Sequence, residues 1–226
     1  MKIKACIFDL DGVIVDTARF HFLAWRRLAN ELGFDFTVEQ NEELKGVSRK
    51  ESLQMILDWG GLTLDNEAFD SWMVKKNSWY LDMVNDLSVD EALPGVVDFI
   101  KHLRKIGVFV ALGSASKNAR TILDQLNISV LFDRIVDGND VINGKPAPDT
   151  FLQGIENTDI KPSESIVFED SAKGIQAALS GNFKAVGIGN PDDLSRAHIV
   201  LPGFDKINFS ELIARLIPTE TTSNNE

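Results

Sequence analysis

The feature that most constrains the fold is an alternation, in the second half of the chain, of short β-branched runs with longer helical patterns. The runs have the length and residue types of strands. They lie at 108–112, 134–136, 165–168, 185–188 and 199–201. Strands that alternate with helices are typical of parallel sheets built from βαβ units. The second half of the chain therefore predicts an α/β domain with a parallel sheet.

Helical patterns fill the spaces between these strands and dominate the first third of the chain. Proline, serine and glycine mark helix boundaries in the second half. Helices are predicted there at 94–107, from 116 or 117 to about 126, and at 171–180. From about residue 17 to residue 87 the only periodicity is that of helices. It is strongest at 20–32, 53–59 and 65–84.

A strand-like run at 3–8 precedes this helical stretch and has no other strand near it in sequence. Pairing with the later strands would make the helical stretch an insertion. We predict an α/β fold in which a doubly wound, Rossmann-like parallel-sheet core carries an inserted helical cap domain. Residues 1–15 and 90–226 form the core, and residues 16–89 form the cap. The polar segment 218–226 is predicted to be a disordered tail.

Composition and charge narrow the possible partners. The 226 residues carry a formal net charge of −11, which repels polyanions such as nucleic acid and anionic membrane surfaces. No apolar run is long enough to cross a bilayer, and no export segment is visible. We therefore expect a cytoplasmic protein, monomeric so that the cap can move, that binds small molecules. A phosphorylated substrate would need a locally positive pocket.

Two carboxylates follow the first strand, where a parallel sheet places its ligand site. The segment Phe8-Asp9-Leu10-Asp11-Gly12 puts Asp9 and Asp11 two residues apart. Extended geometry would point both side chains to the same side. Taken alone, the same segment could be a turn or a helix entry.

Three later segments carry polar residues at corresponding places. Ser114, Ala115, Ser116, Lys117 and Asn118 follow the second strand, where a plain helix cap would explain them equally well. Lys145 lies in a loop before a helix and could simply be solvated, and Glu169 with Asp170 could cap the next helix. Together with Asp9 they supply a carboxylate nucleophile, hydroxyls, a cation and metal-binding acids. That combination is the requirement for phosphoryl transfer.

In the order and placement of these four segments, the chain resembles the haloacid dehalogenase-like superfamily of aspartyl phosphotransferases, from about residue 3 to residue 205. The resemblance implies that Asp9 attacks phosphorus and that Asp11 is the general acid and base. It implies that Ser114 and Lys145 hold phosphate oxygens, and a cis bond before Pro146 could aim Lys145 at them. Magnesium is the implied cofactor. Its expected ligands are Asp9, the backbone carbonyl of Asp11, Glu169 and Asp170.

The helical insertion carries a second set of candidate residues. Thr17, His21 and Trp25 share one helix face, which could equally be a stripe that packs in the core. Ser48 is the expected cap of a helix, with Glu51 completing a capping box. Cations at such a helix start are electrostatically disfavoured, so the following arginine and lysine favour an anionic ligand.

The segment Lys45-Gly46-Val47-Ser48-Arg49 resembles the substrate loop of the β-phosphoglucomutases. The resemblance implies that Arg49 binds the phosphate farthest from the nucleophile, which Ser116, Lys117 and Asn118 meet from the core. Further substrate contacts are expected from Thr17, His21, Trp25, Gly46, Val47, Ser48, Ser52, Lys76 and Ala115.

The implied activity is the interconversion of β-D-glucose 1-phosphate and glucose 6-phosphate through phospho-Asp9, with β-glucose 1,6-bisphosphate as intermediate. A phosphatase of the same superfamily that acts on a small sugar or polyol phosphate keeps every core residue and is the nearest alternative. A phosphonatase would need a Schiff-base lysine in the cap, for which Lys50 and Lys76 are only loose candidates. A noncatalytic binding module would be expected to lose Asp9 or Asp11, and both are present.

Overall fold

A six-stranded, fully parallel sheet forms the centre of the protein. The computed structural model describes residues 2–85 and 87–217. The strands are β1 (Ala5–Phe8), β2 (Phe109–Gly113), β3 (Arg134–Val136), β4 (Ser165–Glu169), β5 (Lys184–Ile188) and β6 (Ile199–Leu201). Their order in the sheet is β3-β2-β1-β4-β5-β6. This order is that of a doubly wound sheet, and it confirms the predicted fold class.

The four residues of β1 are apolar or small, which suits a strand in the middle of the sheet, where all four are buried. A central parallel strand is covered on both faces, which requires a continuous run of this kind and not an alternating one. Phe8, the last residue of β1, lies opposite Leu112 of β2 and Phe168 of β4. The carboxyl ends of these three strands are therefore level, and the residues that follow them meet at one edge.

Nine α-helices occur in the part of the chain that the structure describes. Four follow β1: α1 (Ala18–Glu31), α2 (Val38–Glu43), α3 (Arg49–Trp59) and α4 (Asn66–Val84). The other five are α5 (Val96–Lys105), α6 (Ala119–Gln125), α7 (Asp149–Gly154), α8 (Ala172–Ser180) and α9 (Phe209–Leu216). Short 3-10 turns lie at Val89–Glu91, Ser129–Leu131 and Pro162–Glu164. No helix in the described ranges combines the length and the apolarity that crossing a membrane requires.

Three apolar clusters hold these elements together. One covers a face of the sheet, where Phe8 stacks on Phe168 at 4.8 Å between ring centroids, and a smaller one covers the opposite face. The third lies among the four inserted helices and contains Trp25, Leu28 and Leu53. A separate cluster is what an inserted cap requires. The boundary between cap and core stays a prediction, since α4 also places Tyr80 in the first cluster.

The two chain segments that connect the insertion to the sheet run side by side. Val15 forms an isolated antiparallel bridge with Ala92, and the Leu93 N–H donates to the Ile14 carbonyl at 2.8 Å. These few backbone contacts tie the entrance and exit of the insertion together. The helices between them start and end at one place beside the sheet edge.

Most predicted elements are present, with shifts of one or two residues at the strands. The helix predicted from residue 116 or 117 begins instead at Ala119. Its start is delayed because the Ser116 N–H donates to the Ser114 hydroxyl and the Asn118 N–H to the Ser116 hydroxyl, which holds a turn before the helix. The helices α2 and α9 were not predicted. The prediction for 218–226 lies outside the described residues.

Candidate active site

Asp9 lies directly beyond β1 at the level edge of the sheet and is 6% exposed. The Lys145 ammonium donates to Asp9 Oδ1 at 2.6 Å and to Glu169 Oε2 at 2.9 Å. The Lys145–Pro146 peptide bond is cis, as predicted from the sequence. Burial alone would lower the pKa of Lys145, but the two carboxylates outweigh it and raise that pKa. The Lys145 ammonium therefore lies between two buried acids.

Three carboxylates form a group at this edge that could hold a cation. One oxygen from each of Asp9, Glu169 and Asp170 lies within 4.8 Å of the others. Burial, followed by the charge of Glu169, raises the pKa of Asp9 to about 8 and that of Asp170 well above its usual range. Lys145 only partly offsets burial and the repulsion among these acids, so the group remains short of positive charge. Hard oxygen donors with a deficit of positive charge fit magnesium. The carbonyl of Asp11 as a ligand stays a prediction.

The position of Glu169 depends on close packing against α8. The Ser171 hydroxyl caps α8 by accepting from the Gly174 N–H, and the Ser171 N–H donates to Glu169 Oε1. A Cβ atom added to Gly174 would lie 1.9 Å from the Glu169 carboxyl carbon. Only glycine at 174 leaves room for this carboxylate.

Asp11 lies two residues beyond Asp9 and lines the same cavity. Burial is the main cause that raises its pKa to about 7, and nearby Lys145 and Lys76 oppose the rise. The Thr17 hydroxyl donates to Asp11 Oδ1. Thr17 is fully buried, so the structure places it behind Asp11 and not on the cavity wall, where a substrate contact was expected.

Lys76 is the buried cation of the insertion and is 1% exposed. Its Nζ atom lies 2.9 Å from His21 Nδ1 and 4.1 Å from the centre of the Trp25 ring. Burial and the charge of Arg49 lower the pKa of Lys76 well below its usual range. No carboxylate within the described ranges forms an ion pair with it. An anionic ligand in the cavity would favour the charged form of Lys76.

One cavity of about 380 Å³ lies between the sheet edge and the inserted helices. Most of the predicted site residues line it. They are Asp9, Asp11, His21, Trp25, Gly46, Val47, Arg49, Ser52, Lys76, Ser114, Ala115, Ser116, Lys117 and Asp170. The cavity therefore joins the acidic edge to the basic residues of the insertion.

Five predicted residues are not on the cavity wall: Thr17, Ser48, Asn118, Lys145 and Glu169. Ser48 forms the expected capping box with Glu51 at the start of α3. The Asn118 amide donates to the Asn77 side chain of α4 at 2.8 Å and so connects core and insertion. Lys145 and Glu169 lie behind Asp9 and act on it by contact and charge.

The cavity wall also contains residues that were not predicted from the sequence: Gly12, Asp16, Ala18, Asn41, Leu44, Lys45, Leu93, Ile188, Gly189, Asn190, Asp193 and Leu194. Lys45 belonged to a segment already singled out, and its Nζ atom lies 3.9 Å from Asp170 Oδ2. Asn41 lies on α2, a six-residue helix too short and polar for its period to be recognised.

The chain is similar in sequence to known proteins over most of its length. The family model described as haloacid dehalogenase-like hydrolase matches residues 3–182. A β-phosphoglucomutase of Bacillus subtilis is 39% identical over 200 residues, which cover 88% of each chain. A fructose-1-phosphate phosphatase of Escherichia coli is 34% identical and covers 80% of this chain and 94% of its own.

A solved structure is similar to this chain in fold as well as in sequence. The crystal structure of a β-phosphoglucomutase from Clostridium difficile has a TM-score of 0.91 and 36% identity, covering 95% of this chain and 97% of the other. Both the sheet and the inserted helices are therefore shared with that protein.

Proposed function

The chain belongs to the haloacid dehalogenase-like hydrolase family, and within that family we propose that it is a phosphomutase that converts β-D-glucose 1-phosphate into glucose 6-phosphate. The observation that carries the proposal is that one cavity is lined both by Asp9 and by a separate set of groups able to bind phosphate, Arg49, Ser116 and Lys117. A mutase acts on a bisphosphate and needs two phosphate sites. A phosphatase needs one.

In the first half-reaction, the 6-hydroxyl oxygen of β-glucose 1-phosphate attacks the phosphorus of phospho-Asp9. The bond between phosphorus and the Asp9 oxygen breaks, and the hydroxyl proton moves to Asp11. The products are β-glucose 1,6-bisphosphate and free Asp9. The bisphosphate then reverses its orientation. Asp9 attacks the 1-phosphoryl group, Asp11 returns the proton to the sugar oxygen, and glucose 6-phosphate leaves.

The environment of Asp11 supports its role in this scheme. A general acid and base works best when its pKa lies close to the working pH, and burial raises the pKa of Asp11 to about 7. The Thr17 hydroxyl orients the carboxylate. Lys145 holds Asp9 in place and offsets the charge of Glu169.

Magnesium held by Asp9, Glu169 and Asp170 would neutralise charge on the phosphoryl group. The residues of this chain supply the remaining needs. Trp25 and Val47 line the cavity with apolar surface that limits water, which would otherwise hydrolyse the acyl phosphate. Lys76 and Arg49 attract the phosphate that does not react.

A phosphatase acting on a small sugar phosphate is the second candidate, because a relative of that kind shares 34% of the aligned residues. The two candidates differ in what accepts the phosphoryl group. Incubation with magnesium, β-glucose 1-phosphate and a trace of β-glucose 1,6-bisphosphate separates them. The mutase predicts glucose 6-phosphate with far less than one equivalent of free phosphate. Stoichiometric phosphate release would contradict it.

A further inference from the structure

Two neutral polar side chains of the insertion lie on the cavity wall without a bonding partner. Asn41 of α2 is 7% exposed and Ser52 of α3 is 3% exposed. Within the described ranges no side-chain hydrogen bond involves either residue, and neither is among the fully buried atoms that lack a partner, so their polar atoms are open to the cavity that both residues line. Buried polar groups are almost always hydrogen-bonded. The available partner therefore lies in the cavity.

The surroundings of Asn41 distinguish its side-chain amide from a solvated amide on the protein surface. Leu44, three residues later on the same face, is buried in the apolar cluster of the inserted helices. The capping box between Thr37 and Gln40 fixes the start of the six-residue helix. The backbone that carries Asn41 is therefore anchored by the helix cap before it and by the packing of Leu44 after it.

The chemistry of the pair favours a hydroxyl group over a phosphate. The cavity already offers Arg49, Lys76 and Lys117 for phosphate. A carboxamide both donates and accepts hydrogen bonds, and so does a sugar hydroxyl. Phosphate at neutral pH is mainly an acceptor and would leave the amide oxygen unpaired.

We propose that Asn41 is a specificity-determining residue whose side-chain amide binds a ring hydroxyl of the sugar phosphate that occupies the cavity. This inference deepens the proposed function, because it names the part of the substrate that the inserted helices select. A site built to bond a hydroxyl discriminates against substrates that lack it.

The test compares wild type and Asn41→Ala on β-glucose 1-phosphate and on its 2-deoxy, 3-deoxy and 4-deoxy analogues. The readout is total substrate consumed, counting sugar phosphate products and free phosphate together. We expect Asn41→Ala to lower kcat/KM about 10-fold on glucose 1-phosphate and on the two analogues that keep the hydroxyl bonded by Asn41. On the analogue that lacks this hydroxyl, the loss should be less than about twofold. An equal loss on all four substrates, or no loss, would overturn the assignment.

Matched variants keep the test decisive. Glu43→Ala, an exposed change on the same helix, should leave all four values unchanged. If Asn41→Ala does not fold, Asn41→Ser keeps a polar group and should show the same selective pattern. The wild-type product ratio tests the proposed function separately. Stoichiometric phosphate release would reject the mutase activity and leave the Asn41 comparison valid. If none of the four substrates is consumed, both the proposed function and the assignment of Asn41 are contradicted.

Discussion

At the scale of single residues, Asp9 is both the proposed nucleophile and a poorly solvated acid. Lys145 contacts it at 2.6 Å, yet burial and Glu169 still raise its pKa to about 8. These opposing effects are typical of sites arranged for reaction more than for stability. The geometry depends on contacts across 136 and 24 residues of sequence, which the motifs themselves do not encode.

Replacing Asp9 by asparagine tests the nucleophile. Asparagine has nearly the same shape but cannot form the acyl phosphate, so turnover should fall by at least about 10³-fold. The fold should persist, because the change removes one of several crowded acids. Steady-state assays and thermal unfolding together measure both effects. Retention of more than about a tenth of the activity would assign the nucleophile elsewhere.

Replacing Arg49 by alanine tests the distal phosphate site. A hydrogen bond to a charged group is worth about 1.5–3 kcal/mol, so kcat/KM for β-glucose 1-phosphate should fall about 10- to 100-fold. Hydrolysis of acetyl phosphate, which has no second phosphate, should change less than about threefold. Lys50→Ala, an exposed change beside it, is the control. Equal losses on both substrates would remove the role assigned to Arg49.

At the scale of elements, the sheet was predictable and the wall of the cavity only partly so. β1 and residues 166–168 of β4 are continuous apolar runs, and the acids that follow these runs mark the carboxyl ends of the strands. Helix α2 has no such signal, because its six residues include one apolar side chain, and Asn41 was missed with it. The pairing of Asn118 with Asn77 joins side chains 41 residues apart, which no local pattern reports.

The packing of α8 against β4 gives a prediction at this scale. Gly174→Ala would place a Cβ atom 1.9 Å from the Glu169 carboxyl carbon, so the carboxylate must move away from Lys145 and Asp9. We expect a loss of about 1–3 kcal/mol in unfolding free energy and at least about tenfold weaker magnesium binding. Gly203→Ala, where no atom lies within 4 Å, is the control. Unchanged magnesium affinity in Gly174→Ala would show that Glu169 is not a ligand.

At the scale of the whole molecule, the acidic edge links stability to pH and to magnesium. Burial raises the pKa of Asp9 to about 8 and of Asp11 to about 7, against about 3.9 in an unfolded chain. Such acids favour the folded state below the unfolded pKa, and this contribution is lost as pH rises through the folded pKa. Magnesium binds the ionised carboxylates and should restore the lost stability.

Thermal unfolding in chelator and in saturating magnesium measures this link. The metal-free protein should lose stability between about pH 4 and pH 8 from these groups, so the magnesium-induced rise in Tm should be larger at pH 8 than at pH 5. Asp170→Asn, which removes one carboxylate of the group, should reduce the difference. An equal rise at both pH values would contradict the assignment of the metal site to these acids.

The measurement that tests the central claim most directly follows the phosphoryl group itself. The protein is labelled on Asp9 with ³²P-acetyl phosphate and mixed with excess β-glucose 1-phosphate for a single turnover. The account predicts that the label leaves Asp9 faster than without sugar and appears in glucose bisphosphate. Release as inorganic phosphate, at a rate that sugar does not change, would show that water and not sugar receives the group.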